Sequence, residues 1–297
     1  MSNSQEHGAY RTLLRDLAHS PYLVFPRVVH LETLALCPAA CGFCPYPTLR
    51  RKGAKMEDAL IDKILKDLEA IPRQLQFQLF PFKINEPFMD TRLMPILREI
   101  NRRLPNAQLS LISNGHPLTE AKLLELAEIR NMLYLCISLN DHRPEVYTRL
   151  MELPWERMHD RLQLLHRLKA EGRLPFHILL SRVADGSADD QAFTAWGKAH
   201  YPLFKTDVYP RGNWIFQVDL EVPTEVPDVG CMRWFELSIT ATGEVALCCM
   251  DGQADWPLGN VREQHVLEVY NQPAYRRLRE NSLSRLESKP CSSCTFM

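Results

Sequence analysis

Apolar residues recur along this chain in two alternating rhythms. Residues 9–18 (AYRTLLRDLA) have the spacing of a short amphipathic helix, and residues 28–35 (VVHLETLA) alternate like a strand. Over 57–71, Leu60, Ile61, Ile64, Leu65 and Leu68 make one helical stripe. The strand QFQLFPFKI (76–84), a helix over 91–103 and the strand LSLIS (109–113) follow. LTEAKLLELAEI (118–129) reads as a helix capped by Thr119, and LYLCISL (133–139) as the next strand. Helices are predicted around 144–150 and over 156–170 and 188–199, with strands at 176–183 and 204–210.

Strand and helix thus alternate about six times, the pattern of parallel strands joined by crossover helices. The strands are apolar along most of their length, as when both faces are covered. A closed eight-fold barrel needs about 250 residues, and only about 190 precede the end of the pattern. The expectation is an α/β partial (β/α)6 barrel over 28–220, after an N-terminal extension (1–27). EVPTEVPDVG (221–230), with two prolines and no periodicity, reads as a linker. Residues 231–297 then form a small C-terminal domain. FELSITATGEVALCCMD (235–251) predicts a hairpin turning at Ala241-Thr242-Gly243, and 264–280 reads as helical.

The net charge of −1 argues against a nucleic-acid partner. The N-terminal MSNSQEHGAYR lacks the apolar segment of a signal peptide, and no stretch approaches the roughly 18 apolar residues of a membrane span. These features predict a cytoplasmic protein without a membrane partner. In a reducing compartment, nine cysteines are more readily metal ligands or reactive thiols than disulfides.

Three of them fall in Cys37-Pro-Ala-Ala-Cys41-Gly-Phe-Cys44, on a loop after the first strand. Three thiolates within eight residues can fold around one iron–sulfur cubane and leave its fourth iron open to a ligand's amino and carboxylate groups. Zinc or scattered structural thiols are the alternative, although a structural zinc prefers four ligands. A second group, Cys231, Cys248, Cys249, Cys291 and Cys294, follows the linker, and Cys136 stands alone within a strand, where a small buried hydrophobe is expected.

The C-x3-C-x-aromatic-C spacing resembles the signature of the radical S-adenosylmethionine (SAM) superfamily. Asn85-Glu86-Pro87 is similar to that family's Gly-Glu-Pro, with Asn in place of the first glycine. Ser113-Asn114-Gly115 resembles its Thr-Asn-Gly, and Ile137-Ser138-Leu139-Asn140 with Tyr147 resembles its fourth-strand pattern. The resemblance implies a [4Fe–4S] cluster on Cys37, Cys41 and Cys44, SAM on the open iron, and a 5′-deoxyadenosyl radical as the product of SAM cleavage. It further implies Phe43 near the adenine, Glu86 on the SAM ammonium, Ser113 and Asn114 at the cofactor, and Ser138 near its carboxylate or ribose. Arg182 is either a further cofactor contact or a salt-bridge partner.

Cys231-Met-Arg-Trp, Gly243-x4-Cys248, Leu258-Gly259-Asn260 and Cys291-x2-Cys294 resemble the SPASM/twitch auxiliary-cluster domain. The likeness implies a second [4Fe–4S] cluster on Cys231, Cys248, Cys291 and Cys294, with zinc as the runner-up for four thiolates. Adjacent strand residues point to opposite faces, so Cys248 and Cys249 are not expected to share a role. In the resembled motif the ligand lies five residues after the turn glycine, which implies Cys248 and leaves Cys249 as a free thiol beside the cluster; the exchanged assignment is the alternative.

Such a thiol can return a hydrogen atom to a carbon radical from the face opposite its abstraction, which inverts the carbon. This pattern is similar to the aminoglycoside radical SAM epimerases, which invert one aminosugar carbon (C5‴ of neomycin C, giving neomycin B). The resemblance implies an isomerase consuming SAM, an aminoglycoside substrate, and an electron donor such as flavodoxin or ferredoxin. A cationic aminosugar would call for carboxylates, for which Asp141, Asp219, Glu221, Asp251 and Asp255 stand in plausible segments. The rival readings are a radical SAM dehydrogenase or other radical SAM enzyme acting on a sugar metabolite or peptide, and a metal-binding module without catalysis.

Overall fold

The computed structural model describes residues 3–219, 225–280 and 284–296. Residues 221–224 of the expected linker, Glu221 among them, lie outside the described residues.

In chain order the elements are α1 (Asn3–Ala18), β1 (Val28–Leu31), α2 (Asp58–Leu68), β2 (Phe77–Phe80), α3 (Leu93–Arg103), β3 (Ala107–Ser113), α4 (Glu120–Ala127), β4 (Met132–Ser138), α5 (Pro144–Met151), α6 (Trp155–Ala170), β5 (His177–Val183), α7 (Ala188–His200) and β6 (Lys205–Tyr209). Then come β7 (Glu236–Ile239), β8 (Glu244–Ala246), β9 (Pro257–Asn260), α8 (Val266–Tyr270) and α9 (Pro273–Glu280). Strands β1 to β6 lie side by side in sequence order and all pair in parallel. This is the α/β partial barrel that the alternation predicts, with a C-terminal unit built on a β-hairpin.

Strand register explains how these strands serve both core and chemistry, because residues paired across parallel strands share a face. One row, Val29, Leu31, Leu79, Leu109, Leu111, Leu135, Ile137 and Leu180, is fully buried and aliphatic, and packs under the helices. The other row faces the barrel interior and carries His30, Phe80, Ser110, Tyr134, Cys136 and Ser181. Thr119 caps α4 as expected, accepting from the Lys122 N–H.

The structure corrects several expected boundaries. The strand expected over 76–84 ends at Phe80, because Pro81 has no N–H for the ladder. The strand expected over 28–35 ends at Leu31, and Glu32 instead receives Arg51 and the Ala241 N–H. The helix expected over 264–280 is two, α8 and α9, since Pro273 can begin a helix but not continue one.

The C-terminal unit is continuous with the barrel. Strand β7 pairs in parallel with β1, and β8 and β9 extend the sheet antiparallel, giving nine strands in one sheet. Gly243, at φ +89°, makes the turn between β7 and β8 that the sequence predicts, closed by its N–H donating to the Thr240 carbonyl at 2.9 Å. Among the described residues no helix is long and apolar enough to cross a membrane.

Candidate active site

The loops at the C-terminal ends of β1 to β4 converge on one cavity of about 290 Å³. It is lined by Cys37, Cys41, Phe43, Cys44, Glu86, Ser113, Asn114 and Ser138, so the barrel residues that the resemblance places at the cluster and the cofactor meet there. The remaining wall includes Phe82, Lys83, Ser181, Tyr209, Trp214, Met250 and Phe296, none of which carries a sequence signal of its own.

Glu86 is buried at the start of a short 3-10 turn, with the Phe88 N–H donating to its Oε1 at 3.1 Å. The Ser113 hydroxyl donates to the same oxygen at 2.9 Å, and the Asn114 N–H donates to Oε2 at 2.6 Å. Burial outweighs these donors and pushes the carboxyl up to about 7. A cation placed beside it would restore the carboxylate. Gly115 turns the chain at φ +80°, and a Cβ there would lie 2.8 Å from Met158 Cε. The Asn114 amide donates to Cys37 Sγ at 3.6 Å, which ties the β3 loop to the cysteine loop.

Burial raises all three thiols of that loop, Cys37 to about 12 and Cys44 to about 11, so without a metal they are neutral. Tyr147 lies fully buried outside the cavity wall and bonds His116 at 3.0 Å. Arg182 is buried in an ion network with Asp141, Asp185 and Asp190, the salt-bridge role of the two expected.

A second cavity lies behind the first. Cys231, Cys248, Cys291 and Cys294 line it, with Ile215, Trp234, Leu247, Met250 and Phe296 between them. Met250 and Phe296 border both cavities. The Trp234 indole N–H donates to Cys291 Sγ at 3.5 Å. Trp214, Ile215 and Phe216 hold successive φ values of 50°, 52° and 66°, a left-handed run that costs roughly 1 kcal/mol or more per residue. The Trp214 indole donates to the Phe43 carbonyl at 3.0 Å, anchoring that run across the cavity mouth.

Spacing separates clusters from single ions. Tetrahedral zinc with Zn–S bonds of about 2.3 Å brings its sulfurs to about 3.8 Å of one another. Among the described residues, only His30, Glu236 and Cys249 place three ligand atoms within 4.8 Å of one another. Neither cysteine set places three sulfurs within that distance of one another.

Cys248 and Cys249 do part company, but not as strand neighbours. Strand β8 ends at Ala246, and both cysteines sit in the turn that follows. Asp251 shapes this turn by accepting from the Leu247, Asp255 and Trp256 N–H groups. Cys248 faces the four-cysteine cavity, and Cys249 faces His30 and Glu236. Burial opposes ionisation of Cys249, but Arg233 and His30 outweigh it and hold the thiol below its ordinary value. Burial likewise opposes protonation of His30, and Cys249 and Glu236 outweigh it upward.

None of the described carboxylates suggested for a cationic sugar lines the active cavity. Asp251 is fully buried within its turn, Asp255 pairs with Arg50, and Asp141 pairs with Arg143 and Arg182.

Comparison with known proteins agrees with this geometry. The Radical SAM superfamily profile matches residues 31–181, and the SPASM iron–sulfur cluster-binding domain profile matches 231–295. No curated protein matches the chain. Among solved structures, BtrN in complex with AdoMet and 2-DOIA aligns with a TM-score of 0.57 at 16% identity, covering 91% of this chain and 93% of that one. Streptococcus suis SuiB bound to precursor peptide SuiA aligns with a TM-score of 0.67 at 14% identity, over 99% of this chain and 73% of SuiB. AnSMEcpe with bound AdoMet and Cp18Cys peptide aligns with a TM-score of 0.58 at 14% identity, over 88% and 83%. The chain therefore belongs to the radical SAM superfamily and carries, after its partial barrel, a SPASM iron–sulfur cluster-binding domain.

Proposed function

We propose that Cys37, Cys41 and Cys44 hold a [4Fe–4S] cluster and that Cys231, Cys248, Cys291 and Cys294 hold a second. When bound, the first cluster and SAM supply a 5′-deoxyadenosyl radical that removes a hydrogen atom from a substrate carbon. The chain's own residues orient the reactants. Glu86 receives the SAM ammonium, with Ser113 and the Asn114 N–H fixing its carboxylate. Phe43 packs near the adenine, and Ser138 reaches the carboxylate or ribose. Lys83, Tyr209, Trp214, Met250 and Phe296 bound the remaining space, where the substrate sits.

The reaction we favour is oxidation of a small polar substrate, a sugar metabolite or a peptide residue, with the second electron leaving toward the four-cysteine site. One observation carries it: Met250 and Phe296 line both the four-cysteine cavity and the active cavity. BtrN's complex with both AdoMet and 2-DOIA supports a second ligand beside SAM.

A second reading has its own observation. Cys249 lies outside the four-cysteine cavity and beside His30 of β1, which leaves a thiol to return hydrogen and invert a carbon, but it does not line the active cavity. The substrate would then be an aminoglycoside, with neomycin C converted to neomycin B at C5‴. Glu86 is the one carboxylate in the described wall, and its proposed place at the SAM ammonium leaves none there for a cationic sugar, which weighs against that substrate.

Anaerobic reconstituted protein, given SAM and dithionite with a panel of sugars, aminoglycosides and peptides, tests both readings. Release of 5′-deoxyadenosine is expected, and its absence overturns the radical reading. A product lighter by two hydrogens supports oxidation; an isomer of unchanged mass supports inversion.

A further inference from the structure

The chain that follows β6 runs from one cysteine loop to the other. The Asn213 amide donates from Nδ2 to the Ser293 carbonyl at 3.1 Å, and Ser293 stands between Cys291 and Cys294. Its Oδ1 accepts from the Ile215 N–H at 3.2 Å, which fixes the end of the amide that points at Ser293. One residue on, the Trp214 indole donates to the Phe43 carbonyl at 3.0 Å, and Phe43 stands between Cys41 and Cys44. Two adjacent side chains thus hold two cysteine loops from opposite ends of the sequence.

The backbone at these anchors is strained. Trp214, Ile215 and Phe216 keep φ values of 50°, 52° and 66°, which residues with a Cβ adopt in succession only when their surroundings impose it. The Val218 N–H donates to the Asn213 carbonyl at 3.1 Å and the Gln217 N–H to the Trp214 carbonyl at 3.3 Å, but these bonds are local and tie the run to neither loop. The three side chains part: Trp214 lines the active cavity, Ile215 lines the four-cysteine cavity, and Phe216 is exposed. Gly212 brings the chain in against the two residues that border both cavities. A Cβ there would lie 2.8 Å from Met250 Cε and 3.3 Å from Phe296 Cδ2.

We propose that residues 213–216 are a strap that couples the two cysteine sites, so that a filled C-terminal site holds the Phe43 loop in the geometry that SAM binding requires. The proposal rests on the reading above, in which both cysteine sets hold clusters. The seated Cys291–Cys294 loop fixes the Ser293 carbonyl, which holds Asn213, and the strained run then sets the Trp214 indole under the Phe43 carbonyl. The run is the two-state element: released at either anchor it relaxes to ordinary backbone, and the Cys41–Cys44 loop loses its outer support. Because coupling is reciprocal, SAM in turn favours filling of the C-terminal site. Asn213 and Trp214 act through Ser293 and Phe43, as positioning residues.

The test is SAM affinity, measured by anaerobic equilibrium dialysis on reconstituted protein, in a double-mutant cycle. Cys291→Ala empties the C-terminal site. Asn213→Asp keeps the acceptor for Ile215 and removes the donor to Ser293. Trp214→Phe keeps a ring in the cavity wall and removes the donor to Phe43. Each is expected to weaken SAM binding about tenfold, the order of one lost hydrogen bond. Combining Cys291→Ala with either strap variant is expected to weaken it no further, because the strap is already released. If Cys291→Ala or Asn213→Asp binds SAM as the wild type does, or if the losses multiply in the combined variants, the two sites are independent and the coupling is wrong. Iron content separates that failure from failure of the underlying reading. About eight irons per wild-type chain with independent losses overturns the strap alone, whereas about four removes the second cluster and the strap with it. Should Trp214→Phe not load its clusters, Asn213→Asp carries the same comparison.

Discussion

The Lys83 ammonium donates to the Asp251 carbonyl at 2.6 Å, joining the wall of the barrel to the turn that carries Cys248 and Cys249. A second bond runs from Lys83 to the Cys249 carbonyl at 3.2 Å. Burial, with Arg51 nearby, pulls the amine below its ordinary value, so the bonds are made at a desolvation cost. Lys83→Met keeps the length, leaves the Cys249 carbonyl unpaired and leaves the Asp251 carbonyl with only the Ala254 N–H. The expected loss is about 2 kcal/mol in chemical unfolding, together with reduced iron at the C-terminal site. Unchanged stability and iron would show that the two loops are held together by packing alone.

Glu86 makes the cluster-free chain sensitive to pH in a definite direction. Its carboxyl is raised to about 7, above its ordinary value, so folding favours the protonated form. That contribution is present below the ordinary carboxylate range and is lost as pH rises through about 7, roughly 3 kcal/mol in all. With Glu86 in its proposed place at the SAM ammonium, SAM binding is expected to have the opposite slope, its affinity rising across the same window. Glu86→Gln is expected to flatten both. Thermal melts of the cluster-free chain between about pH 5 and pH 8, and SAM titrations of the reconstituted protein, measure the two slopes. Equal slopes in variant and wild type would place the titration elsewhere.

The barrel was legible in sequence because its helix-facing positions are aliphatic and regular, as with Leu79, Leu109, Leu111, Leu135 and Leu180. The cavity residues named from short motifs, Cys37, Glu86, Ser113 and Ser138, were legible because each stands at a strand end where parallel sheets gather their loops. His30 and Glu236 were not. In sequence they are a histidine and a glutamate on predicted strands more than 200 residues apart, and only the β1–β7 pairing brings them together. Phe296 and Trp214 escaped for a related reason. They reach the cavity from irregular chain whose course depends on Arg285, Asn213 and the auxiliary cysteine loop.

Cys248 and Cys249 are adjacent in sequence, but Cys248 lines the four-cysteine cavity and Cys249 faces His30 and Glu236, so their substitutions should diverge. Cys248→Ala, like Cys291→Ala, is expected to lower reconstituted iron from about eight to about four per chain. SAM cleavage without substrate should continue in both. Cys249→Ser is expected to keep about eight irons. A variant of Cys37, Cys41 or Cys44 should instead abolish 5′-deoxyadenosine release and keep the C-terminal cluster. If Cys249→Ser loses four irons and Cys248→Ala loses none, the two assignments are exchanged.

Arg285 is the buried post on which the last cysteines are hung. Its guanidinium donates to the carbonyls of Val229 at 3.1 Å and Gly230 at 2.8 Å, and to those of Cys294 and Phe296. These bonds draw the segment before Cys231 and the chain around Cys294 to one point, so two arms of the four-cysteine cavity share a single cation. Arg285→Lys retains the charge but cannot span four carbonyls from one planar fork. Both Arg285→Lys and Arg285→Met are therefore expected to lose C-terminal iron while the N-terminal site still cleaves SAM, and Met should be the worse of the two. Iron content, the absorbance of each reconstituted cluster and 5′-deoxyadenosine release separate these effects. If Arg285→Lys loads both clusters as the wild type does, charge alone holds the cysteine loops, and the fork geometry contributes nothing to the site.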